Sequence, residues 1–270
     1  MSHEVVSNTL LAPNVHRLVV MAPRVAEVRQ PGQFVIVRLG PGAERIPLTI
    51  VDSDVAAGTI ELVVQAVGKS TTDLVSVAAG GSIDDVVGPL GHSTDLITTG
   101  TAVCVAGGVG AAVIYPIAQR LSEMGVDVVT VLGGRTSANV LFQEQFRSFG
   151  ELIVCTDDGS IGRTGFVTEA LADLVAARAI GIVYAAGPVP MMRAVSAVTQ
   201  PTGVRTIVSL NPIMVDGTGM CGGCRVTIGG VMRFACVDGP EFDGHAVDFD
   251  ELADRLTTYR GDERTAVDHV

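Results

Sequence analysis

The sequence predicts three consecutive parts: a small β barrel, an α/β domain built on a doubly wound parallel sheet, and a short C-terminal segment organised around cysteines. Three observations carry that reading. Short β-like runs separated by glycine and proline turns fill the first hundred residues. From Thr101 onward, apolar runs alternate with helical periodicity, the signature of a parallel sheet with crossover helices. Three of the five cysteines crowd between Cys221 and Cys236. The corresponding divisions are 1–98, 99–210 and 211–270.

In the first part the β-like runs are 17–21, 34–39, 59–67 and one ending near Val87. Pro31-Gly32, Gly40 to Gly42, Gly80-Gly81 and Gly88-Pro89 punctuate them. In the second part the apolar run 103–106 leads through Gly107, Gly108, Val109 and Gly110 into a helical pattern ending at Met124. Strand-like runs at 126–132, 152–155, 181–186 and 206–210 then alternate with helical stretches at 142–149, 167–177 and 191–198. After Asn211-Pro212 the chain is loop-rich, turns acidic over 238–251, forms a short helix at 248–256 and ends in a loose tail from Gly261.

Composition narrows the function. A net charge of −11 repels phosphate backbones and excludes nucleic-acid binding as the main purpose. With 47% hydrophobic residues the chain can bury a large core, and with aromatics at 4% against 32 glycines, ligands are met by backbone more than by stacking rings. The first ten residues carry no apolar core behind a basic start, and no run of about 18 uncharged apolar residues offers a membrane span. A cytoplasmic protein is expected, in which clustered cysteines bind metal before they form disulfides.

The most specific motif is Asp216, Cys221, Cys224 and Cys236, spaced D-x4-C-x2-C-x11-C. This is the plant-type [2Fe–2S] arrangement with an aspartate in place of the first cysteine. Interspersed glycines let a loop wrap a cluster with its N–H groups near the sulfurs. A zinc site from the same four ligands and a bare C-x-x-C dithiol are the other readings, and the spacing favours iron–sulfur. Gly107, Gly108, Val109 and Gly110 join a strand to a helix and place backbone donors where a pyrophosphate would sit, although Val113 replaces the last glycine of a full dinucleotide fingerprint. Gly187-Pro188 adds a second loop at the same sheet edge. Asp157 and Asp158 suit ribose hydroxyls and oppose a 2′-phosphate, whereas Arg135 would pair with one; NAD(H) is favoured and NADP(H) stays open. Gly68, Lys69, Ser70 and Thr71 are no Walker A, since Val63 stands where its first glycine belongs, yet they suit a phosphate cradle. The histidines are scattered and no nucleophile elbow occurs, which removes hydrolases. Cys104 and Cys155 lie in apolar runs and read as buried thiols.

The segments QF at 33–34, RIPLTI at 45–50, VGKSTT at 67–72, GPLG at 88–91, GGVGAAVIYP at 107–116, AGP at 186–188 and CVDGPEF at 236–242 occur in the order of one architecture. By them the chain resembles the ferredoxin reductase-like electron-transfer subunits, from about residue 5 to 256. That group includes the subunits of dihydroorotate dehydrogenase, sulfide dehydrogenase (β) and NADH-dependent ferredoxin:NADP oxidoreductase (small). Asp216 in place of cysteine, and the RIPLT segment, look like the last branch. The resemblance implies FAD in the barrel, NAD(H) in the α/β domain and [2Fe–2S] in the C-terminal part. It implies flavin contacts from Arg45, Pro47, Leu48 and Thr49, with the Thr49 hydroxyl at the redox-active ring edge, and from Gly68, Lys69, Ser70 and Thr71. The wider superfamily places arginine three residues before that hydroxyl; here Ile46 stands there and Arg45 one residue earlier. The implied partner is a larger flavoprotein or iron–sulfur subunit, either glutamate-synthase-small-subunit-like or dihydroorotate-dehydrogenase-like, with ferredoxin reached through the complex. The implied activity is an electron relay within an electron-bifurcating oxidoreductase; a relay to dihydroorotate or sulfide dehydrogenase and a non-enzymatic flavin/iron–sulfur redox sensor are the alternatives.

Overall fold

A computed structural model describes residues 2–258; the tail expected from Gly261 lies outside them. Seven strands form the first sheet: β1 (His3–Ala12), β2 (Val15–Met21), β3 (Phe34–Arg38), β4 (Ile46–Asp54), β5 (Thr59–Gln65), β6 (Ser82–Ile83) and β7 (Asp85–Leu90). Every pair in it is antiparallel, in the order β6-β1-β2-β5-β4-β3-β7. β6 and β7 stand at opposite ends of that order yet follow one another in the chain. The sheet therefore curls until its edges adjoin, as a nearly closed barrel. Period-two alternation turns Leu18 and Val20, Val35 and Val37, and Ile60, Leu62 and Val64 into one core. Helices α1 (Pro23–Val28) and α2 (Lys69–Val75) close it with Val25, Ala26 and Leu74.

The second sheet is built from β8 (Thr101–Gly107), β9 (Asp127–Gly134), β10 (Glu151–Thr156), β11 (Arg163–Thr164), β12 (Ile182–Ala186) and β13 (Thr206–Ser209), all parallel. Its helices are α3 (Gly110–Glu123), α4 (Gln143–Phe149), α5 (Val167–Ala177) and α6 (Val189–Thr199). Alternate residues of each strand face opposite layers. Ala102, Cys104 and Ala106 pack with Ile114 and Ile117 of α3 and Phe146 of α4. Val103 and Val105 pack with Leu171 of α5 and Val195 of α6. The order β11-β10-β9-β8-β12-β13 reverses between β8 and β12, which is where a doubly wound sheet opens a crevice at its carboxyl edge.

The C-terminal segment contains a hairpin of β14 (Arg225–Ile228) and β15 (Val231–Phe234), then α7 (Ala235–Asp238), β16 (Glu241–Asp243) and α8 (Phe249–Arg255). β16 adds antiparallel to β13, so this segment finishes the edge of the parallel sheet. Asp248 caps α8 by accepting the N–H groups of Asp250 and Glu251. The three parts also share apolar interiors. Phe34 and Ile36 of the barrel, Val103 and Val208 of the parallel sheet, and Cys224, Val226, Ala235 and Cys236 of the C-terminal segment belong to one core. Among the described residues no helix is long and apolar enough to cross a membrane.

A shared core makes the parts unfold together. Ile36→Ala, at a fully buried position, is expected to cost about 2–5 kcal/mol and to lower one common melting transition. Calorimetry that resolved separate transitions for the barrel and the remainder would contradict the shared core.

Candidate functional site

The two loops expected to meet a nucleotide do converge at the carboxyl edge where β8 and β12 adjoin. A methyl group on Gly110 would lie 2.2 Å from the carbonyl oxygen of Ala186, and one on Gly107 would lie 2.6 Å from the sulfur of Met191. The loops are thus packed backbone to backbone, which only glycine permits. Gly108 takes a left-handed φ of 55° and faces open space, as a cradle for a ligand requires. Val109 precedes the first turn of α3, and Pro188 caps α6. Further along the same edge the loops after β9 and β10 are zipped together: the Asp157 N–H donates to Gly134 O at 3.1 Å and the Asp158 N–H to Arg135 O at 3.3 Å. Arg135, Asp157 and Asp158 are all exposed there. Hydrogen bonds from Ser160 hold the Asp158 carboxyl below the usual carboxylate range.

In the barrel, Pro47, Leu48 and Thr49 form a half-buried row on β4, with Thr49 directly opposite Phe34 and Pro47 opposite Ile36 on β3. Arg45, just before β4, donates from Nε to the carbonyl of Val215 at 3.0 Å. Gly68, Lys69, Ser70 and Thr71 open α2. Thr71 Oγ1 accepts the N–H groups of Val67 and Gly68, Lys69 pairs with Asp73 at 2.7 Å, and Ser70 donates to Glu44. The side chains of this segment are engaged within the protein, so the donors it offers outward are its backbone groups.

The cysteine loop lies against the β3–β7 side of the barrel. A methyl on Gly217, whose φ is 77°, would lie 2.6 Å from Leu90 and 2.9 Å from Ile36. Asp216 accepts the N–H of Thr218 at 2.9 Å and of Cys221 at 2.7 Å, bonds that keep its carboxyl low. The four candidate ligands form two pairs. Asp216 adjoins Cys221, and the sulfurs of Cys224 and Cys236 are 3.1 Å apart. The N–H of Gly223 points at Cys221 Sγ (3.4 Å) and that of Cys236 at Cys224 Sγ (3.5 Å). Among the described residues, no three His, Cys, Asp or Glu side chains converge on one point. Main-chain N–H groups aimed at sulfur suit thiolates that hold an iron–sulfur cluster. Burial pushes the Cys236 thiol up, and the neighbouring Cys224 adds to this. A bound cation would reverse that balance by favouring thiolate. Cys221 is exposed, whereas Cys224 and Cys236 are buried. Cys104 and Cys155 are buried in the sheet, and burial raises the Cys104 thiol to about 12.

The sequence pattern does not single out Glu241, the first residue of β16. Its Oε1 accepts the hydroxyl of Thr94 at 2.9 Å, and a methyl on Gly32 would lie 3.0 Å from the same oxygen. With His92, Asp95, Arg205 and Phe242 it lines a cavity of about 360 Å³ where the barrel, the stretch 91–100 between β7 and β8, and the sheet edge meet. Burial raises its carboxyl from 4.5 to about 7; the Thr94 bond opposes the rise and the charge of Asp95 adds to it. In the sequence it appears only as one member of the CVDGPEF segment at 236–242, with no role of its own.

Comparison with known proteins agrees with this geometry. Residues 211–248 match the iron–sulfur cluster binding domain of dihydroorotate dehydrogenase B, and residues 104–197 match the oxidoreductase NAD-binding domain. A Thermotoga maritima protein named as a homologue of the dihydroorotate dehydrogenase B (NAD(+)) electron transfer subunit is 45% identical over 97% of this chain and 93% of its own. The electron transfer subunit from Bacillus caldolyticus is 36% identical over 88% and 94%. Among solved structures, a chain from work on flavin-based electron bifurcation in NADH-dependent reduced ferredoxin–NADP oxidoreductase is 44% identical. It superposes with a TM-score of 0.94 over 100% of this chain and 98% of that one. An Amycolatopsis cytochrome P450 reductase, 20% identical with a TM-score of 0.64 over 74% and 65% of the two chains, shares the fold.

The raised carboxyl of Glu241 has a signed consequence. Its folded-state value of about 7 exceeds the ordinary 4.5, so its contribution to stability is complete below the lower value and is lost as pH rises through the upper one. Between about pH 5 and about pH 8 the wild type should lose about 2 kcal/mol more than Glu241→Gln, which cannot ionise. Melting curves at the two pH values check this, and parallel pH dependences would contradict it.

Proposed function

Because this chain belongs to the family of dihydroorotate dehydrogenase B electron-transfer subunits, we propose that it relays electrons between NAD(H) and a larger partner subunit. In this reading 1–98 hold FAD, 99–210 take the nicotinamide nucleotide, and 211–270 hold the [2Fe–2S] cluster. When bound, the flavin exchanges a hydride with the nicotinamide and the cluster carries single electrons onward. The observation that carries the reading is the direct seating of the cysteine loop on the barrel wall, through Gly217 on Ile36 and Leu90 and through Arg45 on Val215. That contact holds the segment around Thr49 and the segment around Cys221 in one rigid relation.

Each group of residues then has a task. Gly107, Gly108, Val109, Gly110, Gly187 and Pro188 bind the pyrophosphate of the nucleotide through backbone donors at the sheet's switch point. The exposed carboxylates of Asp157 and Asp158 outnumber Arg135 beside them and select NAD(H) over NADP(H). Arg45, Pro47, Leu48 and Thr49 border the flavin ring, and Thr49 presents its hydroxyl to the reacting edge. Backbone groups of Gly68, Lys69, Ser70 and Thr71 meet the flavin's pyrophosphate. Asp216 and Cys221 hold one iron and Cys224 and Cys236 the other; a harder oxygen ligand makes the first iron the more labile. Cys221 with the exposed Val215, Met220 and Val237 forms the lip through which electrons pass to the partner.

Aspartate at 216, together with the superposition over the whole chain, favours a partner of the ferredoxin:NADP oxidoreductase type and bifurcating chemistry. The names of the dihydroorotate dehydrogenase relatives favour the second reading, a dihydroorotate dehydrogenase partner. Five free thiols suit a reducing compartment, and we assign the protein to the cytoplasm.

Cys221→Ser should leave reduction of the flavin by NADH intact while electron delivery to the partner drops to near background in rapid mixing. Asp216→Ala should lower iron content and alter the EPR spectrum. Undiminished delivery in the first variant would remove the cluster from the relay, and unchanged iron and EPR in the second would remove Asp216 from the ligands.

A further inference from the structure

Arginines elsewhere in the chain answer carboxylates, as Arg29 does Asp52, Arg38 does Asp85 and Arg205 does Asp95. Those that reach the C-x-x-C turn do not. Among the described residues Arg225 and Arg255 form no ion pair, although the whole chain carries a net charge of −11. We propose that Arg255 is a positioning residue of the iron–sulfur site. It clamps the turn from Cys221 to Cys224 and, with Arg225, holds positive charge against it, so that the cluster takes up its electron more readily. The proposal rests on the electron-relay reading above and names what sets the electron affinity of that site.

Phe249 and Leu252 anchor α8 in the core that also holds Cys224 and Cys236. From the end of that helix Arg255 reaches back to the cysteine turn, where its Nη2 donates to the carbonyl oxygen of Gly223 at 3.0 Å. Gly223 stands just before Cys224. Its own N–H points at Cys221 Sγ (3.4 Å), and its carbonyl shares a peptide with the N–H of Cys224. A donor on that carbonyl fixes the peptide's orientation and strengthens its N–H as a donor. A further donor of Arg255, Nε, is buried and has no partner among the described residues. A cation in the last turn suits the helix dipole, but the dipole explains neither the reach to Gly223 nor the unpartnered Nε. A guanidinium edge withdrawn from water is costly unless negative charge lies near. The loaded site supplies it: three thiolates and a carboxylate outweigh the positive charge of a [2Fe–2S] core, and each electron added makes the site more negative. Arg225 approaches the same turn from outside, since a methyl on Gly222, whose φ is 66°, would lie 3.1 Å from its Nη1. Arg225 is exposed and screened by solvent, whereas Arg255 is half-buried, so Arg255 contributes more. In the step one electron enters from the reduced flavin and one leaves to the partner. No bond forms or breaks, no proton moves, and both guanidiniums stay charged throughout.

The test is a potentiometric titration of the fully loaded protein, with the reduced cluster followed by EPR. Arg255→Gln keeps a donor for the Gly223 carbonyl and removes the charge. Its ratio of reduced to oxidised cluster at a fixed potential should fall about tenfold, a midpoint about 59 mV lower for one electron. Arg255→Lys keeps the charge and should stay within about threefold of the wild-type ratio. Arg120→Gln, which removes a charge from an exposed pair with Glu123 on α3, should leave the midpoint where it was. Arg255→Met has neither charge nor donor, and a chelator should withdraw its iron about tenfold faster than from the wild type. An unmoved midpoint in Arg255→Gln, an equal fall in Arg255→Lys or Arg120→Gln, or iron release from Arg255→Met at the wild-type rate overturns the proposal alone. A wild type without iron, sulfide and the EPR signal overturns the relay reading and the proposal together. If Arg255→Gln does not retain a cluster, Arg225→Gln decides: its ratio should fall in the same direction by a smaller step, about threefold, and an unmoved midpoint overturns the proposal.

Discussion

The sulfurs of Cys224 and Cys236 are built into the same apolar core that holds Phe34 and Ile36 of the barrel and Val103 and Val208 of the parallel sheet. Much of the rest depends on that placement. A loop bearing ligands would ordinarily be mobile, yet this one is pinned from below by its own cysteines and from the side by Gly217, whose missing side chain lets the backbone sit directly on Ile36 and Leu90. β16 returns to the edge of β13 immediately after the last cysteine and ties the loop to the nucleotide-binding sheet. The three parts are therefore held in a fixed relation by packing, which is the protein's main contribution to chemistry carried by its cofactors.

Polar groups work within that frame at its borders. The crevice between β8 and β12 is shaped by glycines that bring two loops into backbone contact, and its outer end carries two carboxylates and one guanidinium on loops tied by main-chain bonds. The cysteine loop is held open by Asp216, whose oxygens gather N–H groups of the turn. At the opposite border a half-buried carboxyl, Glu241, stands where water reaches the junction. Charge is kept out of the shared core and placed where a nucleotide, a partner or solvent can meet it.

Much of this was legible in the sequence because its cause is local. The runs that became β8, β9 and β12 are buried on both faces and so read as unbroken apolar stretches. The α5 span expected from periodicity, 167–177, is the observed helix. β1 was not legible: most of His3–Ala12 is half-buried or exposed, and two register shifts against β2 break its alternation. β4 read as a motif and not as a strand because Pro47 interrupts its pattern, which the barrel tolerates where Pro47 faces Ile36. The spacing of Asp216, Cys221, Cys224 and Cys236 showed which residues to consider. The close approach of the Cys224 and Cys236 sulfurs, 3.1 Å apart, is a property of the folded loop. Glu241 escaped notice for a related reason, since its environment is made by Gly32, Thr94 and Asp95, far away in the chain.

The central claim is that one chain holds a flavin and a binuclear iron–sulfur cluster in electronic contact with NADH. It is tested most directly by an anaerobic absorption spectrum of the purified protein, with flavin, iron, labile sulfide and zinc assayed on the same sample and NADH then added. The account predicts one FAD, two irons and two sulfides per chain, with bleaching of both chromophores by NADH. Zinc without sulfide or flavin, or chromophores that NADH leaves unchanged, would contradict it.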